Sequence, residues 1–351
     1  MKTIFLEYIW LDGNYPQKLR SKTKIVQSKN EDKLKLSNWG FDGSSTGQAE
    51  TSKSEMVLVP VNKFKDPFRE NGYLVMCEVY NTDMTPHSSN KRSILSETVQ
   101  ESDEGTMYGF EQEYIIYDNK TRKPLGWPKE GFPRPQGDYY CGVGGSNVSG
   151  RKFVEKHAEY CISAGLSFTG INAEVMLGQW EYQIGPVEAL DGSDQLWISR
   201  YILERLSEEF DYTIELHPKP YQGNDWNGSG MHVNFSTSDM RKNLKDKKQL
   251  IVEACEKLGK SIENHINVYG VGNELRLTGA NETCSIKQFK YGIGDRTASI
   301  RIPYSVTDDS TPGYLEDRRP ASNANPYEIC DVMIKTICEN SEVRISNIES
   351  D

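Results

Sequence analysis

Runs in which apolar and polar positions alternate recur along this chain, and such alternation is typical of β-strands. Together with short apolar runs, it predicts strands over 3–11, 56–61, 73–80, 107–117, 212–216 and 296–303. The stretch 169–186 predicts two more strands that meet at a short connection, Leu177-Gly178-Gln179. Apolar positions three and four residues apart predict helices over about 93–104, 150–164, 192–209, 245–266 and 326–339.

These elements divide the chain into two parts. Strand-like runs dominate the first 85 residues, and a polar stretch with one proline follows them. We therefore predict a small, mostly β domain over 1–85, a linker over 86–92 and a larger domain over 93–351. The strands of the first part are too few to suggest an enzyme by themselves.

Composition and charge exclude several classes of function. The chain has 351 residues and a mean hydropathy of −0.66, and no apolar run approaches the roughly 20 residues needed to cross a bilayer. The first 15 residues contain Glu7 and Asp12 and lack a small-residue cleavage site, so we expect no signal peptide and a cytoplasmic protein. A formal net charge of −10 makes nucleic acid a poor partner. Seven cysteines without a C-x-x-C pair are typical of reduced thiols.

Acidic residues in the predicted strands suggest a metal site. Glu111 and Glu113 alternate onto one face of the strand over 107–117, and a short connection brings Glu174 and Glu181 near one another. Clustered carboxylates without matching cations repel, and a hard divalent metal commonly relieves that repulsion. Solvated strand faces are the alternative explanation for all four residues.

Two further residues extend this candidate set. His232 follows a glycine-rich stretch into a strand, and Glu316 lies near the carboxyl end of the chain. A site dominated by oxygen ligands favours Mg²⁺ or Mn²⁺, and six ligands suggest two ions. Paired metals commonly hold a transferring phosphoryl group.

Five arginines in the second half of the chain suit the grip of carboxylate or phosphate oxygens. They are Arg276, Arg296, Arg301, Arg318 and Arg319. Metals and arginines without a phosphate-binding P-loop indicate phosphoryl transfer on another scaffold. A metal-dependent hydrolase fits nearly as well from the residues alone.

Eight short sequence motifs, spread over nearly the whole chain, resemble those of one protein family and occur in the same order as in that family. They are FDGSST (41–46), FEQEY (110–114), GWPKEGFPRPQGDYYCGVG (126–144), NAEVMLGQWEYQIGP (172–186), WNGSGMHVNFS (226–236), RLTG (276–279), RTASIRIP (296–303) and YLEDRRP (314–320). Together they resemble glutamine synthetase in its shorter, eukaryotic-like form (type II). The resemblance implies an α+β fold, with an N-terminal ubiquitin-like β-grasp domain and a catalytic domain on a curved antiparallel sheet flanked by helices.

The resemblance also implies roles for individual residues. One Mg²⁺ or Mn²⁺ ion would be held by Glu113, Glu174 and Glu181, and another by Glu111, His232 and Glu316. Glutamate would be bound by Asn227, Gly228, Arg276, Arg296 and Arg318. The predicted ATP-binding residues are Glu111, Glu181, Tyr182, Gln183, Ile184, Gly185, Pro186, Asn234, Phe235, Ser236, Arg296, Arg301, Tyr314, Leu315 and Glu316. Asp42, Ser45, Tyr140 and Glu282 would form an ammonium pocket, and Asp42, Glu282 and Arg296 would be catalytic.

The implied activity is ATP-dependent ligation of ammonia to L-glutamate through a γ-glutamyl phosphate, with two or more Mg²⁺ or Mn²⁺ ions. The implied assembly is a homo-oligomer, a decamer of two pentameric rings, in which Asp42 completes the site of a neighbouring subunit. The sequence departs from the family pattern in two places: the predicted hairpin over 169–186, called the metal hairpin because it carries Glu174 and Glu181, and the segment around Glu282, which resembles the family's active-site flap. Leu177 stands where proline is usual, and Ala280-Asn281 replaces a histidine before Glu282.

Other readings of the chain stay open at this point. A relative that ligates glutamate to a different amine would share the metals and the arginines. A non-catalytic regulator of nitrogen status would be expected to lose acidic ligands, and this sequence has kept them.

Overall fold

A computed structural model describes residues 1–28, 34–221, 226–280 and 282–339. The strands are β1 Lys2–Leu11, β2 Leu19–Ser28, β3 Trp39–Asp42, β4 Glu55–Lys65, β5 Gly72–Tyr80, β6 Met107–Asp118, β7 Lys123–Pro124, β8 Phe168–Ala173, β9 Gln179–Val187, β10 Tyr212–Glu215, β11 Met231–Ser236, β12 Tyr291–Ile293, β13 Ile300–Ile302 and β14 Leu315–Asp317. The helices are α1 Lys91–Ser102, α2 Arg151–Ala164, α3 Ala189–Phe210, α4 Ser238–Lys242, α5 Lys247–Lys260, α6 Ile262–Ile266 and α7 Pro326–Ile337.

The first five strands form one sheet in the order β2-β1-β5-β4-β3, with β1 and β5 parallel. Alternation along β1 gives this sheet two apolar faces. Leu6 and Tyr8 pack with Phe41 in a core of the small sheet itself. Ile9 and Leu11 belong instead to the main core, which the helices share. The small sheet therefore packs directly on the rest of the protein.

The second sheet is mostly antiparallel, and in the described part of the chain it holds the other nine strands. Its main order is β12-β13-β14-β11-β6-β9-β8, while β7 and β10 also pair with β6. One face is apolar and packs on α3 and α7, with Phe110, Tyr114, Tyr182 and Phe235 almost completely buried. The opposite face carries the polar side chains described below. The mixed α+β class predicted from the sequence is confirmed.

A buried polar cluster joins the small sheet to the helices. The carboxylate of Asp194, on α3, accepts hydrogen bonds from the Arg92 guanidinium at 2.8 and 3.0 Å and from the Tyr327 hydroxyl at 2.6 Å. Arg92 also donates to Glu78 on β5 at 2.9 Å. Asn62 of β4 donates to Asp194 at 3.0 Å. Because Asp194 is fully buried, these contacts fix the position of the small sheet on the helical layer.

Two predicted elements differ from those observed. The strand predicted over 296–303 is reduced to Ile300–Ile302, because Asp295 accepts hydrogen bonds from the backbone N–H and hydroxyl of Thr297 and closes a turn. Arg296 therefore lies on a loop, and the prediction that the strand includes it is wrong. The helix predicted over 245–266 is two helices, interrupted at Ser261.

The hairpin over 169–186 is also shorter than predicted. β8 ends at Ala173, and the chain then turns because the Glu174 N–H donates to the Gln179 carbonyl at 3.0 Å. Glu174 thus follows the strand instead of lying within it. None of the helices in the described residues combines the length and apolar character needed to cross a membrane.

Candidate metal and substrate site

The polar face of the large sheet gathers the predicted metal ligands through strand register. Glu113 on β6 pairs with Glu181 on β9, and Glu111 on β6 pairs with His232 on β11. Residues directly opposite in antiparallel strands point to the same face, so these four side chains share one surface. Glu316, on β14, reaches that surface from beyond β11. Residues distant in sequence are therefore brought together by pairing of neighbouring strands.

One group of three carboxylates consists of Glu113, Glu174 and Glu181, with oxygen atoms within 4.8 Å of one another. All three side chains are at least nine-tenths buried. Burial raises the pKa of each carboxyl, and the neighbouring carboxylates add to the effect at Glu174 and Glu181. The pKa of Glu181 rises to about 9.

Each carboxylate of this first group accepts a hydrogen bond from a neutral donor. The Asn172 amide donates to Glu174 at 3.0 Å, the Gln183 amide to Glu181 at 3.0 Å, and the Gly230 N–H to Glu113 at 2.7 Å. Neutral donors orient the oxygens without neutralising their charge. The oxygens are therefore held in place for a cation, which would displace the protons that the raised pKa values keep on this group.

A second group consists of Glu111, His232 and Glu316, again with ligand atoms within 4.8 Å of one another. His232 Nδ1 lies 3.5 Å from an oxygen of each glutamate. Burial, helped by Arg318 and Arg276, lowers the pKa of His232 well below its usual value. The imidazole is therefore neutral, which is the form that binds metals.

The donors in the two groups fit divalent cations. Five carboxylates and one imidazole match the preference of Mg²⁺ and Mn²⁺ for oxygen ligands. Burial of mutually repelling carboxylates is unfavourable, and a bound cation would relieve it. The chemistry of the residues supports two cation sites and does not identify the metal.

A cavity of about 530 Å³ lies over both groups. Its wall includes every residue predicted to bind glutamate, namely Asn227, Gly228, Arg276, Arg296 and Arg318. Tyr140 and Glu282 of the predicted ammonium pocket also line it, as does Arg301. Arg301 and Arg318 donate to the two oxygens of Glu316 at 2.6 and 2.7 Å. The cavity is thus lined by both carboxylates and guanidinium groups.

Arg319, the fifth of the arginines singled out from the sequence, does not line the cavity. Arg319 points to the opposite side of β14, where it pairs with the buried Asp317 at 2.6 Å. It supports the strand that carries Glu316 and does not line the cavity.

A second, more apolar cavity of about 400 Å³ adjoins the first, and Glu111 and Gln183 line both. Many of the predicted ATP-binding residues line it, namely Gln183, Ile184, Gly185, Pro186, Asn234, Phe235, Ser236 and Tyr314. Glu181, Arg296, Arg301 and Glu316 of that predicted set line the first cavity. An apolar cavity that opens beside a charged one matches the two ends of a nucleotide.

Two predicted ATP-binding residues are not brought to either cavity. Tyr182 and Leu315 are completely buried, because strand alternation directs their side chains to the core face. Tyr182 packs there against Phe168 and accepts a hydrogen bond from the Ser199 hydroxyl at 2.8 Å. Their side chains therefore cannot touch a ligand in these cavities.

Asp42 and Ser45 also lie outside the two cavities formed by this chain. Asp42 ends β3 at the edge of the small sheet, where its carboxylate accepts hydrogen bonds from Ser44 and from the Ser45 hydroxyl at 2.9 Å. These hydrogen bonds lower the pKa of Asp42. Asp42 is exposed and ionised, and a single chain does not bring it to Tyr140 and Glu282.

The flap and the hairpin contain the two departures from the family pattern. Met176 to Gln179 form a tight turn in which Gly178 has φ +89° and the Gln179 N–H donates to the Met176 carbonyl. The second position of such a turn, here Leu177, commonly accepts proline, so its leucine is compatible with the geometry. Glu282 has φ +60°, a left-handed backbone conformation that is unusual for a residue with a side chain. Asn281 lies outside the described residues.

Sequence reasoning did not single out several residues that support the site. Asn172 and Gly230 donate to the acidic group, and Arg241 lines the second cavity and donates to the Ser236 carbonyl at 2.9 Å. Asn172 lies two residues before Glu174, and this proximity was the available signal. Nothing in the local pattern pointed to Arg241.

The fold and the site together define a class of protein: a two-domain enzyme whose cavity can hold divalent cations beside an anionic substrate. Two family descriptions match the chain, "Glutamine synthetase, beta-Grasp domain" over residues 2–82 and "Glutamine synthetase, catalytic domain" over residues 88–339. The chain belongs to the glutamine synthetase family.

Individual relatives agree with this assignment. The glutamine synthetase of Streptomyces viridochromogenes is 48% identical over 345 residues, which cover 97% of this chain and 98% of the relative. The chloroplastic glutamine synthetase of Chlamydomonas reinhardtii is 49% identical over 343 residues, covering 94% and 90%. A cryo-EM structure of Plasmodium falciparum glutamine synthetase matches 95% of this chain and 71% of its own with a TM-score of 0.76. Since its identity is 18%, that structure supports the fold alone. The expected β-grasp and catalytic domains are thereby confirmed.

Proposed function

We propose that this chain ligates ammonia to the γ-carboxylate of L-glutamate, using ATP and producing L-glutamine, ADP and phosphate. The observation that carries the proposal is the joined pair of cavities. The charged cavity is lined by the two groups of predicted cation ligands and by four arginines, and it adjoins a more apolar cavity lined by Phe235 and Ile184. Membership of the family supports these substrates, and the two joined cavities support binding of glutamate and ATP side by side.

In this proposal ATP lies with its base in the second cavity and its phosphates over Glu111 and Gln183, the residues common to both cavities. Glutamate lies in the first cavity, gripped by Arg276 and Arg318 at its carboxylates. The γ-carboxylate then attacks the terminal phosphorus, the bond to ADP breaks, and an acyl phosphate forms. Arg296 and Arg301 would face the negative charge that develops on the transferring group.

Two Mg²⁺ or Mn²⁺ ions, when bound, would neutralise and orient the phosphate oxygens. The groups that would hold them are Glu113, Glu174 and Glu181 on one side and Glu111, His232 and Glu316 on the other.

The second half of the reaction requires free ammonia, because ammonium has no lone pair. We propose that Asp42 accepts the proton from ammonium and that the ammonia nitrogen then attacks the acyl carbon; the C–O bond to phosphate breaks, and the second proton lost by the nitrogen leaves on the phosphate. The lowered pKa of Asp42 keeps it ionised, so it also attracts the ammonium cation. Tyr140 and Glu282 line the cavity at the place where such a base would be needed, and Ser45 orients Asp42.

Because Asp42 lies outside this chain's own cavities, we propose that a neighbouring subunit supplies it. Co-expression of Asp42→Ala with Arg318→Leu chains tests this arrangement. Each variant alone should be inactive, while mixed oligomers should recover activity at sites that combine an intact Asp42 with an intact Arg318. If sites were complete within one chain, no recovery would occur. A decamer of two pentameric rings and a cytoplasmic location stay predictions.

A coupled assay tests the activity itself. ADP release should require glutamate, ammonium and Mg²⁺ together, and mass spectrometry should identify glutamine as the product. Asp42→Ala should abolish glutamine formation. ADP release without glutamate would favour the hydrolase, and a product with another amine in a screen would favour the related ligase. Glutamine binding without any turnover would favour a regulator.

A further inference from the structure

Gln179 is a buried residue that contacts both the acidic group and the loop predicted to bind glutamate. It begins β9, lies behind the wall of the first cavity and is 2% exposed. Its side-chain nitrogen lies 3.4 Å from a Glu113 oxygen, 3.3 Å from the Gly228 carbonyl and 3.2 Å from the Ser229 hydroxyl. One amide therefore spans two parts of the site.

The orientation of this amide is dictated by its neighbours. The Gly228 carbonyl accepts hydrogen bonds and cannot donate them, and the Glu113 carboxylate does the same once it is ionised, as it would be when it binds a cation. A flipped amide would place its oxygen against both, so the nitrogen must face them. In this orientation the amide oxygen, Gln179 Oε1, is buried and has no hydrogen-bond partner in the described residues. Such a group is unfavourable in a protein interior.

The backbone of Gln179 reaches a second member of the acidic group. Its carbonyl accepts the Glu174 N–H at 3.0 Å, and its own N–H closes the turn through the Met176 carbonyl. Gln179 thus holds Glu113 through its side chain and Glu174 through its backbone. Two residues further along the strand, Glu181 completes the same carboxylate group.

We propose that Gln179 is a positioning residue that couples the acidic group to the Gly228–Ser229 segment of the glutamate site. This inference rests on the proposed function, because it takes Gly228 as part of the glutamate site. Loss of the amide would release Glu113 and Gly228 together. Cation binding and glutamate binding should therefore weaken together, although Gln179 touches neither ligand.

The test compares Gln179→Met with Gln195→Met. Methionine keeps the length of the side chain and removes the amide donor. Gln195 is a matched control, since it is also a buried glutamine, and its amide contacts Ser167 and Asp191 instead of the cavities. The readouts are Mn²⁺ affinity by calorimetry without nucleotide, KM for glutamate and KM for ATP.

For Gln179→Met we expect KM for glutamate to rise about tenfold and Mn²⁺ affinity to fall severalfold, on the scale of losing hydrogen bonds to a charged group. KM for ATP should stay within about twofold, since none of the residues that the amide contacts lines the second cavity. Gln195→Met should leave all three quantities unchanged. Equal effects in the two variants, or a change in kcat alone, would overturn the proposal.

Gln179→Asn provides a second variant if the methionine variant does not fold, as judged by thermal unfolding. Asparagine keeps the amide but is one methylene shorter, so it cannot span Glu113 and Gly228 together, and its effects should have the same direction. Wild-type protein that forms no glutamine would contradict the proposed function. The calorimetric arm would then still decide whether Gln179 supports cation binding.

Discussion

Glu113 and Glu181 lie directly opposite each other on β6 and β9, and both carboxyl groups are buried on the same face of the sheet. Register makes this pairing unavoidable once the two strands associate. Burial of the two groups, and the repulsion between them when ionised, are therefore built into the folded protein, with consequences for stability as well as for cation binding.

The first consequence is a pH-dependent stability of the metal-free protein. An unfolded chain loses the Glu181 proton near the ordinary pKa of 4.5, whereas the folded chain keeps it until about pH 9. Between these values the folded state binds more protons, so the free energy of unfolding decreases as pH rises. We expect a lower melting temperature at pH 8.5 than at pH 6 in the presence of a chelator.

Two comparisons check that origin. Glu181→Gln cannot ionise, so its melting temperature should decrease less over the same interval. Mn²⁺ should raise the melting temperature more at pH 8.5 than at pH 6, because cation binding must displace protons at the lower pH. Stability that increases from pH 6 to 8.5 without metal would contradict the buried position of these carboxyls.

Arg276 should be irreplaceable by lysine in the recognition of glutamate. Its guanidinium lines the first cavity and at the same time lies 3.0 Å from His232 Nε2 and 3.1 Å from the Arg318 carbonyl. A lysine ammonium lacks the planar fork required to keep all these contacts. We expect Arg276→Lys to raise KM for glutamate by about tenfold or more, with a smaller change in KM for ATP. Steady-state kinetics with each substrate varied in turn measures this, and equal changes in the two values would argue against the assignment.

The turn before β9 should tolerate proline at position 177 and reject a side chain at position 178. Gly178 has φ +89°, and a Cβ atom there would lie 2.9 Å from the Leu125 carbonyl oxygen. Gly178→Ala should therefore destabilise the protein by about 1–2 kcal/mol and weaken Mn²⁺ binding through displacement of Glu174. Leu177→Pro is the matched control and should retain Mn²⁺ affinity, because proline suits the second position of this turn. Calorimetry on both variants separates the two outcomes.

Removal of the Asp194 carboxylate should loosen the attachment of the small sheet. Asp194→Ala leaves the mostly buried Arg92 without its principal partner, a change expected to destabilise the protein by about 3 kcal/mol, as for other broken buried ion pairs. Glu208→Ala breaks an exposed pair with Arg205 and should change stability by less than about 0.5 kcal/mol. Denaturant unfolding of the two variants gives the comparison. Similar midpoints would show that the cluster contributes little.

Much of this site could be predicted from the sequence, because successive side chains on its strands point to opposite faces of the sheet. Glu111 and Glu113 had to share a face, and the polar run from Asn172 to Gln183 had to return on itself. Which strands pair with each other could not be predicted, because the residues around His232 do not indicate that it will lie opposite Glu111. Grouping of the six ligands depended on resemblance to the family, and the geometry agrees with that grouping.

The remaining differences come from competition between local and long-range contacts. Arg296 was expected on a strand, but the Asp295 side chain satisfies nearby backbone and hydroxyl donors and ends the ladder. Tyr182 and Leu315 belong to motifs that border the nucleotide cavity, although their side chains face the core. A continuous sequence motif on a strand includes residues from both faces of the sheet, and the alternation of side chains decides which of them reach the cavity.

The spread of the cation ligands between Glu111 and Glu316 also bears on how the protein is made. During synthesis on the ribosome, β6 emerges long before β14, which supplies the last ligand and lies next to β11 in the sheet. A nascent chain therefore has no complete second cation site until translation has nearly ended. A cation proposed for the second group would therefore bind only after almost the whole polypeptide has been made, whereas the three carboxylates of the first group are all synthesised by residue 181.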